Sequence, residues 1–135
     1  MSRLNNEIRV FPYEQEILKE LNTEGYNSLV DMFEEACDQY ADRQAFTAIG
    51  QTLTFADIER HSRDFAAYLV GDAGLIPGQR IAIQLPNLIQ YPIVAWGALR
   101  AGLVLVNTNP MYTQRELLHQ FTDAGVTALV CLVRR

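Results

Sequence analysis

Lysine is nearly absent from this sequence. Lys19 is the only lysine among 11 basic residues, and the formal net charge at pH 7 is −5. Proteins that bind nucleic acids neutralise phosphates with clustered Lys and Arg side chains. The composition therefore argues against a nucleic-acid partner, and it also removes the lysine that commonly contacts a bound phosphate.

Cysteine is also scarce, and long apolar runs are missing. Cys37 and Cys131 are far apart and belong to no CxxC or Cys/His spacing, which excludes a disulfide framework and a cysteine-based metal site. We predict two small buried thiols. No apolar run reaches the length of a membrane span, and residues 1–5 are too polar to begin a secretory signal. An intracellular, cytoplasmic protein is expected.

The clearest structural signal lies between residues 80 and 110. The apolar runs at residues 81–85 and 103–106 lack alternation, which predicts two central parallel strands. The segment between them has almost no polar face, so it predicts a buried helix that begins near Tyr91 or Pro92. Gly102 follows the last turn as a left-handed cap. With 49% apolar residues for a core, the pattern predicts an α/β fold with a doubly wound parallel sheet.

Helical periodicity and capping residues predict three further helices. The first spans residues 29–40 behind Ser28, the second begins at Thr54, and the third begins at Thr113 and ends at Gly125. Each has an acidic residue three positions after its cap, as in a capping box: Asp31, Asp57 and Glu116. The predicted inward faces are Leu29, Met32, Phe33, Ala36, Cys37 and Tyr40; Phe55, Ile58, Ser62, Phe65, Ala66 and Leu69; and Leu117, Leu118, Phe121 and Ala124.

Shorter signals complete the predicted fold. Residues 45–49 and 52–54 predict a small hairpin with Gly50 and Gln51 in the turn. Pro77 and Gly78 suit the middle of a type II turn. Residues 128–133 predict a third parallel strand, after which a doubly wound sheet should continue. The sheet is therefore expected to be incomplete.

Candidate functional residues follow the second central strand. The loop at residues 107–112 leaves the carboxyl end of that strand, where open α/β sheets bind ligands. We predict that Asn107, Thr108 and Tyr112 lie near the substrate, although Asn, Thr and Pro are also ordinary turn residues and a purely structural loop is the alternative. His61 and His119 are interpreted as surface residues because no catalytic partner accompanies them.

Several stretches resemble a known superfamily. LTFADI at residues 53–58 and LRAGLVLVNTNP at residues 99–110 resemble the first and second core motifs of the adenylate-forming, AMP-binding enzymes. SLVDMFEEACDQYAD, PNLIQYP and NTNPMYTQRELLHQFTDAG resemble bacterial long-chain fatty-acid–CoA ligases. Peptide-synthetase adenylation domains more often carry a Pro-Ile-Asp-Pro type sequence at residues 107–110.

The resemblance implies the N-terminal part of a larger enzyme. Residues 1–27 would form an N-terminal arm, and residues 28–135 the first part of the AMP-binding large domain. Such ligases convert a fatty acid and ATP into an acyl-adenylate and then transfer the acyl group to coenzyme A, with Mg²⁺. The family's Ser/Thr/Gly-rich phosphate loop with Pro-Lys-Gly, its acidic motif and its C-terminal lysine have no counterpart here, and Lys19 cannot replace a catalytic lysine. No catalytic, cofactor-binding or metal-binding residue is therefore carried over.

These expectations define the partners and the alternatives. The longer enzyme would use ATP, Mg²⁺ and coenzyme A, whereas this segment alone is expected to bind none of them tightly and to be inactive. Its partner would be the rest of the ligase chain, and its unfinished sheet predicts self-association. Peripheral contact of the longer enzyme with the inner membrane is left open. The alternatives are a ligase of the same superfamily for other carboxylic acids, and a non-catalytic α/β interaction module.

Overall fold

The computed structural model describes residues 25–133, so most of the predicted N-terminal arm lies outside the described residues. The helices are α1 (Leu29–Gln39), α2 (Phe55–Gly71), α3 (Gln90–Arg100) and α4 (Gln114–Ala124). The strands are β1 (Gln44–Ala48), β2 (Gln51–Thr54), β3 (Arg80–Gln84), β4 (Val104–Asn107) and β5 (Val126–Cys131). No helix formed by residues 25–133 is long and apolar enough to cross a membrane.

A parallel sheet with the order β4-β3-β5 forms the centre of the fold. It confirms the predicted α/β architecture and the strand–helix–strand unit, with Ile81, Ala82 and Ile83 of β3 fully buried. The prediction that both strands of this unit are central is wrong for β4. Within residues 25–133, β4 pairs only with β3, and Val104 is accordingly 46% exposed.

Strand β5 differs from its prediction in position and in burial. It begins directly after Gly125, two residues before the predicted start, because the left-handed cap of α4 (φ 61°) already turns the chain. Burial alternates along β5, so its last residue, Cys131, is exposed. The prediction of a buried thiol is therefore wrong for Cys131. It is confirmed for Cys37, where burial raises the thiol pKa to about 11 and keeps the sulfur protonated.

The β1–β2 hairpin is confirmed, but its turn lies one residue earlier than predicted. Ala48 pairs with Gln51, which leaves Ile49 and Gly50 as the two turn residues. Their φ angles are 50° and 74°. Two positive values are typical of a type I′ turn, whose twist matches that of the flanking strands. A β-branched residue such as Ile49 is strained there.

Capping side chains set the starts of three helices. Thr54 with Asp57, and Thr113 with Glu116, form complete capping boxes as predicted. The backbone N–H and the hydroxyl of each threonine hold the pKa of its acidic partner below the usual value. At α1 only half of the box is present, since the Asp31 N–H donates to Ser28 Oγ (3.0 Å) without a return hydrogen bond.

The inward faces of two helices are narrower than predicted. On α1 only Phe33 and Cys37 are buried, whereas Leu29 and Met32 are exposed. On α4, Leu118 is 70% exposed. The half-buried positions of α4 include Leu117, Phe121 and Ala124, which follow one another at spacings of four and three residues, so Leu118 lies beside this line.

Helices α2 and α3 pack closely over the sheet. Gly97 permits the contact, because a Cβ at this position would lie 2.8 Å from Phe65 Cδ1 and 2.9 Å from the Ser62 carbonyl oxygen. Half-buried Trp96 stacks on Phe33 of α1 with ring centroids 4.1 Å apart. These contacts place α1 and α2 against the predicted buried helix, whose only exposed residue is Gln90.

Glycines at two turns have the predicted backbone conformation. Gly102 has φ 72° where α3 turns into β4, and a Cβ there would lie 3.1 Å from Pro77 Cβ. Gly78 has φ 86°, and the Gln79 N–H donates to the Ile76 carbonyl (3.2 Å), as a type II turn requires.

Candidate functional site

A cavity of about 420 Å³ opens where β3 and β4 end. The three residues predicted from the sequence, Asn107, Thr108 and Tyr112, all contribute to its wall. The complete lining is Ile83, Leu85, Asn87, Tyr91, Asn107, Thr108, Asn109 and Tyr112. The cavity thus lies outside the carboxyl ends of adjacent parallel strands, where α/β sheets place their ligands.

Hydrogen bonds anchor the floor of the cavity through Thr108. Its backbone N–H donates to the Ile83 carbonyl (3.0 Å), which continues the pairing of β4 with β3 by one residue. Its hydroxyl lies 2.9 Å from Gln120 Oε1 and 3.2 Å from the Val106 carbonyl. Since Thr108 is 4% exposed and its hydroxyl already has partners in the fold, it shapes the cavity without a free polar group.

Asn107 is held at both its main chain and its side chain. Gln120 Nε2 of α4 donates to the Asn107 carbonyl (3.1 Å). The Tyr91 hydroxyl of α3 donates to Asn107 Oδ1 (2.7 Å). Asn107, the last residue of β4, is therefore hydrogen-bonded to both α3 and α4. Its side chain is exposed at the cavity.

A tight turn carries the loop from β4 to α4. Asn109 Oδ1 accepts from the Met111 N–H (2.9 Å), and the Tyr112 N–H donates to the Asn109 carbonyl (3.1 Å). This side-chain turn is a usual role of asparagine. It brings the Tyr112 side chain back to the cavity.

Among residues 25–133, no charged side chain lines the cavity. Its polar groups are amides and hydroxyls, which bind neutral donors and acceptors and provide no ready general base at neutral pH. Within residues 25–133 no group of three or more His, Cys, Asp and Glu side chains could hold a metal ion. The arrangement can bind and orient a ligand, and it supplies no nucleophile–base pair.

A smaller groove of about 220 Å³ adjoins the cavity. Asn87 and Tyr91 belong to both walls, so the two spaces meet at these side chains. The lining of the groove is Phe46, Thr47, Ala48, Asn87, Leu88, Ile89, Tyr91 and Pro92. The hairpin thus provides one side of this mainly apolar groove.

Both histidines lie outside the cavity wall. His61 Nε2 on α2 is 3.4 Å from Arg60 Nη2, and His119 lies on the exposed side of α4 with Glu116 and Asp123 nearby. Sequence reasoning did not select Tyr91 or Gln120. A tyrosine at the start of an otherwise apolar helix was the available signal for Tyr91.

The fold and the cavity define an α/β domain with an open cavity at the carboxyl ends of two parallel strands. Residues 33–135 match the AMP-binding enzyme family. The chain belongs to this family. The motifs at residues 53–58 and 99–110 lie within the matched part, which confirms the resemblance drawn from them.

Similar proteins narrow the relationship further. A long-chain-fatty-acid–CoA ligase of Escherichia coli O6:H1 is 49% identical over 118 residues, which cover 87% of this chain and 21% of that protein. The Haemophilus influenzae ligase of the same name is 50% identical over 112 residues, or 83% of this chain and 20% of that protein. A complex of VinN with 3-methylaspartate is similar in structure with a TM-score of 0.74 and 32% identity, covering 78% of this chain and 30% of that one. The chain therefore spans about a fifth of the length of the curated ligases it matches.

Proposed function

We propose that this chain is the N-terminal segment of a long-chain fatty-acid–CoA ligase. The supporting observation is the 49% identity to the Escherichia coli ligase over 118 residues. The whole enzyme would join a fatty carboxylate to the α-phosphate of ATP with release of pyrophosphate. The coenzyme A thiol would then displace AMP to give the acyl-CoA.

The segment would supply structure and ligand contacts to this reaction, and the chemistry would come from elsewhere in the enzyme. Its sequence contains no Ser/Thr/Gly-rich loop followed by Pro-Lys-Gly. Stabilising charge on transferring phosphates requires cationic donors or metal ions, and none of the cavity-lining residues within 25–133 is cationic. No group of three or more His, Cys, Asp and Glu side chains within residues 25–133 could hold a metal ion, and we propose no Mg²⁺ ligand among these residues.

The loop that contains Asn107, Thr108 and Tyr112 is proposed as the substrate-proximal part of the segment. Its position at the ends of β3 and β4 supports this assignment. We also retain the proposed division into an arm at residues 1–27 and a domain segment at residues 28–135. A cytoplasmic location, with or without peripheral membrane contact, remains a proposal that fractionation of cells would test.

Pyrophosphate release by the full-length protein tests the function. The purified protein should release pyrophosphate from ATP when a long-chain fatty acid is added, and it should form the acyl-CoA when coenzyme A follows. An acid-independent release, or none with any fatty acid, would contradict the proposal.

A ligase for other carboxylic acids is the second candidate. VinN, described in complex with 3-methylaspartate, is 32% identical over the shared region. A similar segment therefore occurs in a protein that binds a small polar acid. A panel of acids in the same assay discriminates the two: saturation at low concentration by a long-chain acid supports the first candidate, and preference for a short or polar acid supports the second.

The isolated 135-residue chain is proposed to be inactive and to self-associate. Within residues 25–133, the outer edge of β5 has no partner strand, and Leu129 on this strand is 44% exposed. Unpaired strand edges favour pairing between chains. Light scattering over a range of concentrations should show mass above that of the monomer, and a constant monomeric mass would contradict self-association.

A further inference from the structure

One amide in the cavity has a fixed orientation. The Tyr91 hydroxyl donates to Asn107 Oδ1 at 2.7 Å, so the oxygen of the carboxamide already has a partner. Among residues 25–133, Asn107 Nδ2 makes no hydrogen bond, and the residue is exposed at the cavity wall. Because an amide NH₂ can only donate, Nδ2 presents two donor hydrogens in this space.

The backbone beneath this amide is also held in place. Gln120 Nε2 donates to the Asn107 carbonyl, and Gln120 Oε1 accepts from the Thr108 hydroxyl. The next residue continues the sheet through the hydrogen bond to the Ile83 carbonyl. The main chain and the side chain of Asn107 are therefore fixed by separate contacts, which is the condition for a donor with a fixed direction.

The wall of the cavity limits the kind of group that the donor would meet. Anionic groups are best bound by Arg and Lys, and none of the described residues that line the wall is charged. A neutral acceptor, such as a carbonyl or hydroxyl oxygen or a ring nitrogen, suits the site better than a phosphate or a carboxylate. ATP and coenzyme A both carry such groups.

Resting on the proposed function, we propose that Asn107 Nδ2 donates a hydrogen bond to a neutral acceptor of ATP or coenzyme A. Tyr91 is the positioning residue that fixes the amide for this contact. The assignment gives different roles to two residues that face the same space, since Asn107 touches the ligand and Tyr91 acts through Asn107.

The variant Asn107→Asp in the full-length protein keeps a side-chain oxygen that accepts a hydrogen bond and removes the NH₂ group that donates one. A carboxylate still accepts from the Tyr91 hydroxyl, but it cannot donate and would repel a neutral acceptor. Binding of ATP and of coenzyme A is measured separately by calorimetry, and one of the two should weaken by about tenfold, which is the upper end of what a single hydrogen bond contributes. The ligand whose binding weakens is the one that carries the acceptor. Asn107→Ala removes the same donor without adding charge and should lose affinity for the same ligand.

Tyr91→Phe tests the positioning role. The amide would then occupy both flipped orientations, so affinity for the same ligand should fall by about two- to fivefold as the competent fraction decreases. The thermal midpoint should stay within about 2 °C of the wild-type value, since only one hydrogen bond at an exposed side chain is lost. Asn27→Asp, which adds the same charge outside the cavity wall, is the control and should bind both ligands normally.

The outcomes distinguish this proposal from the proposed function. Normal binding of both ligands by Asn107→Asp and Asn107→Ala would overturn the Asn107 contact, as would a wild-type protein that binds neither ligand. Normal binding by Tyr91→Phe would overturn the role of Tyr91. If the wild-type protein binds the ligand through Asn107 but activates no fatty acid, the proposed function fails while the donor assignment stands.

Discussion

Arg100, at the end of α3, is the charged residue on which the packing of three helices depends. Its side chain is 8% exposed and forms ion pairs with Glu34 of α1 and with Glu59 of α2, the latter at 3.4 Å. Its Nε also donates to Ser62 Oγ (3.2 Å), and the guanidinium lies 5.5 Å from the centre of the Phe33 ring. Replacing Arg100 with methionine keeps an apolar stem of similar length and removes all of these polar contacts.

The expected loss in the free energy of unfolding depends on whether the partners of Arg100 stay buried without a contact after the replacement. Removing one partner of a buried ion pair costs about 3–5 kcal/mol when the other charge stays buried. Here Glu34 is 44% exposed and can return to water, and Glu59, at 24% exposure, retains Arg63. Ser62 Oγ keeps its own donation to the Glu59 carbonyl (3.0 Å). We therefore expect Arg100→Met to lower the free energy of unfolding by about 2–3 kcal/mol, below the fully buried case.

Urea denaturation followed by circular dichroism measures this difference, with Arg63→Met as the matched control. Arg63 pairs with the same carboxylate, but its side chain is 66% exposed, so its replacement should cost less than about 1 kcal/mol. Equal effects of the two substitutions would contradict this prediction, because Arg100 is buried and also contacts Glu34 and Ser62, whereas Arg63 is exposed and pairs with Glu59. A gain in stability for Arg100→Met would show that desolvation of the guanidinium outweighs its contacts.

Three other perturbations test local features of the fold. Gly97→Ala should destabilise by about 1–3 kcal/mol, because the added Cβ meets Phe65 at 2.8 Å, and unchanged urea denaturation would count against close α2–α3 packing. Ile49→Asn should raise the thermal midpoint, since asparagine tolerates the positive φ of the hairpin turn, by an amount worth about 0.5–1 kcal/mol. The lowered pKa values of Asp57 and Glu116 add stability that is complete above about pH 5 and is lost as the pH falls through their folded values. Unfolding curves from pH 6 to pH 2 should therefore show less acid sensitivity in Asp57→Asn and Glu116→Gln than in the wild type.

Local sequence signals predicted the elements of this fold well where one physical cause acts alone. Thr54 and Thr113 each supply the side chain that the first turn of a helix needs, and both caps are present. Gly102 and Gly125 have the positive φ that ends a helix. Each of these features depends on residues that are close together in the sequence, so it could be predicted without knowledge of the tertiary structure.

Predictions failed where burial depends on distant partners. The apolar run of β4 is typical of a central strand. Whether a strand pairs on one side or on both depends on where the other strands lie, and the run itself does not show this. Leu118 continues an apolar cluster along α4, yet it is 70% exposed while Leu117 is half-buried, and the helical pattern alone does not distinguish these two neighbours. The hairpin turn lies at Ile49 and Gly50, one residue earlier than predicted. The pairing of Ala48 with Gln51 sets this position, and it outweighs the preference for glycine as the first turn residue.

The candidate site shows the same division. The rule that ligands bind at the carboxyl ends of parallel strands selected Asn107, Thr108 and Tyr112 alike, and all three reach the cavity. The rule cannot predict which of their polar atoms are already bonded within the fold. The hydroxyl of Thr108 meets Gln120, 12 residues further along the chain, whereas the amide of Asn107 meets Tyr91, 16 residues earlier. Such pairs are set by the register of β4 and the rotation of the flanking helices. Among residues 25–133 they leave Asn107 with unused donors that Thr108 lacks, and on that difference we base the assignment of one residue to the ligand and the other to the fold.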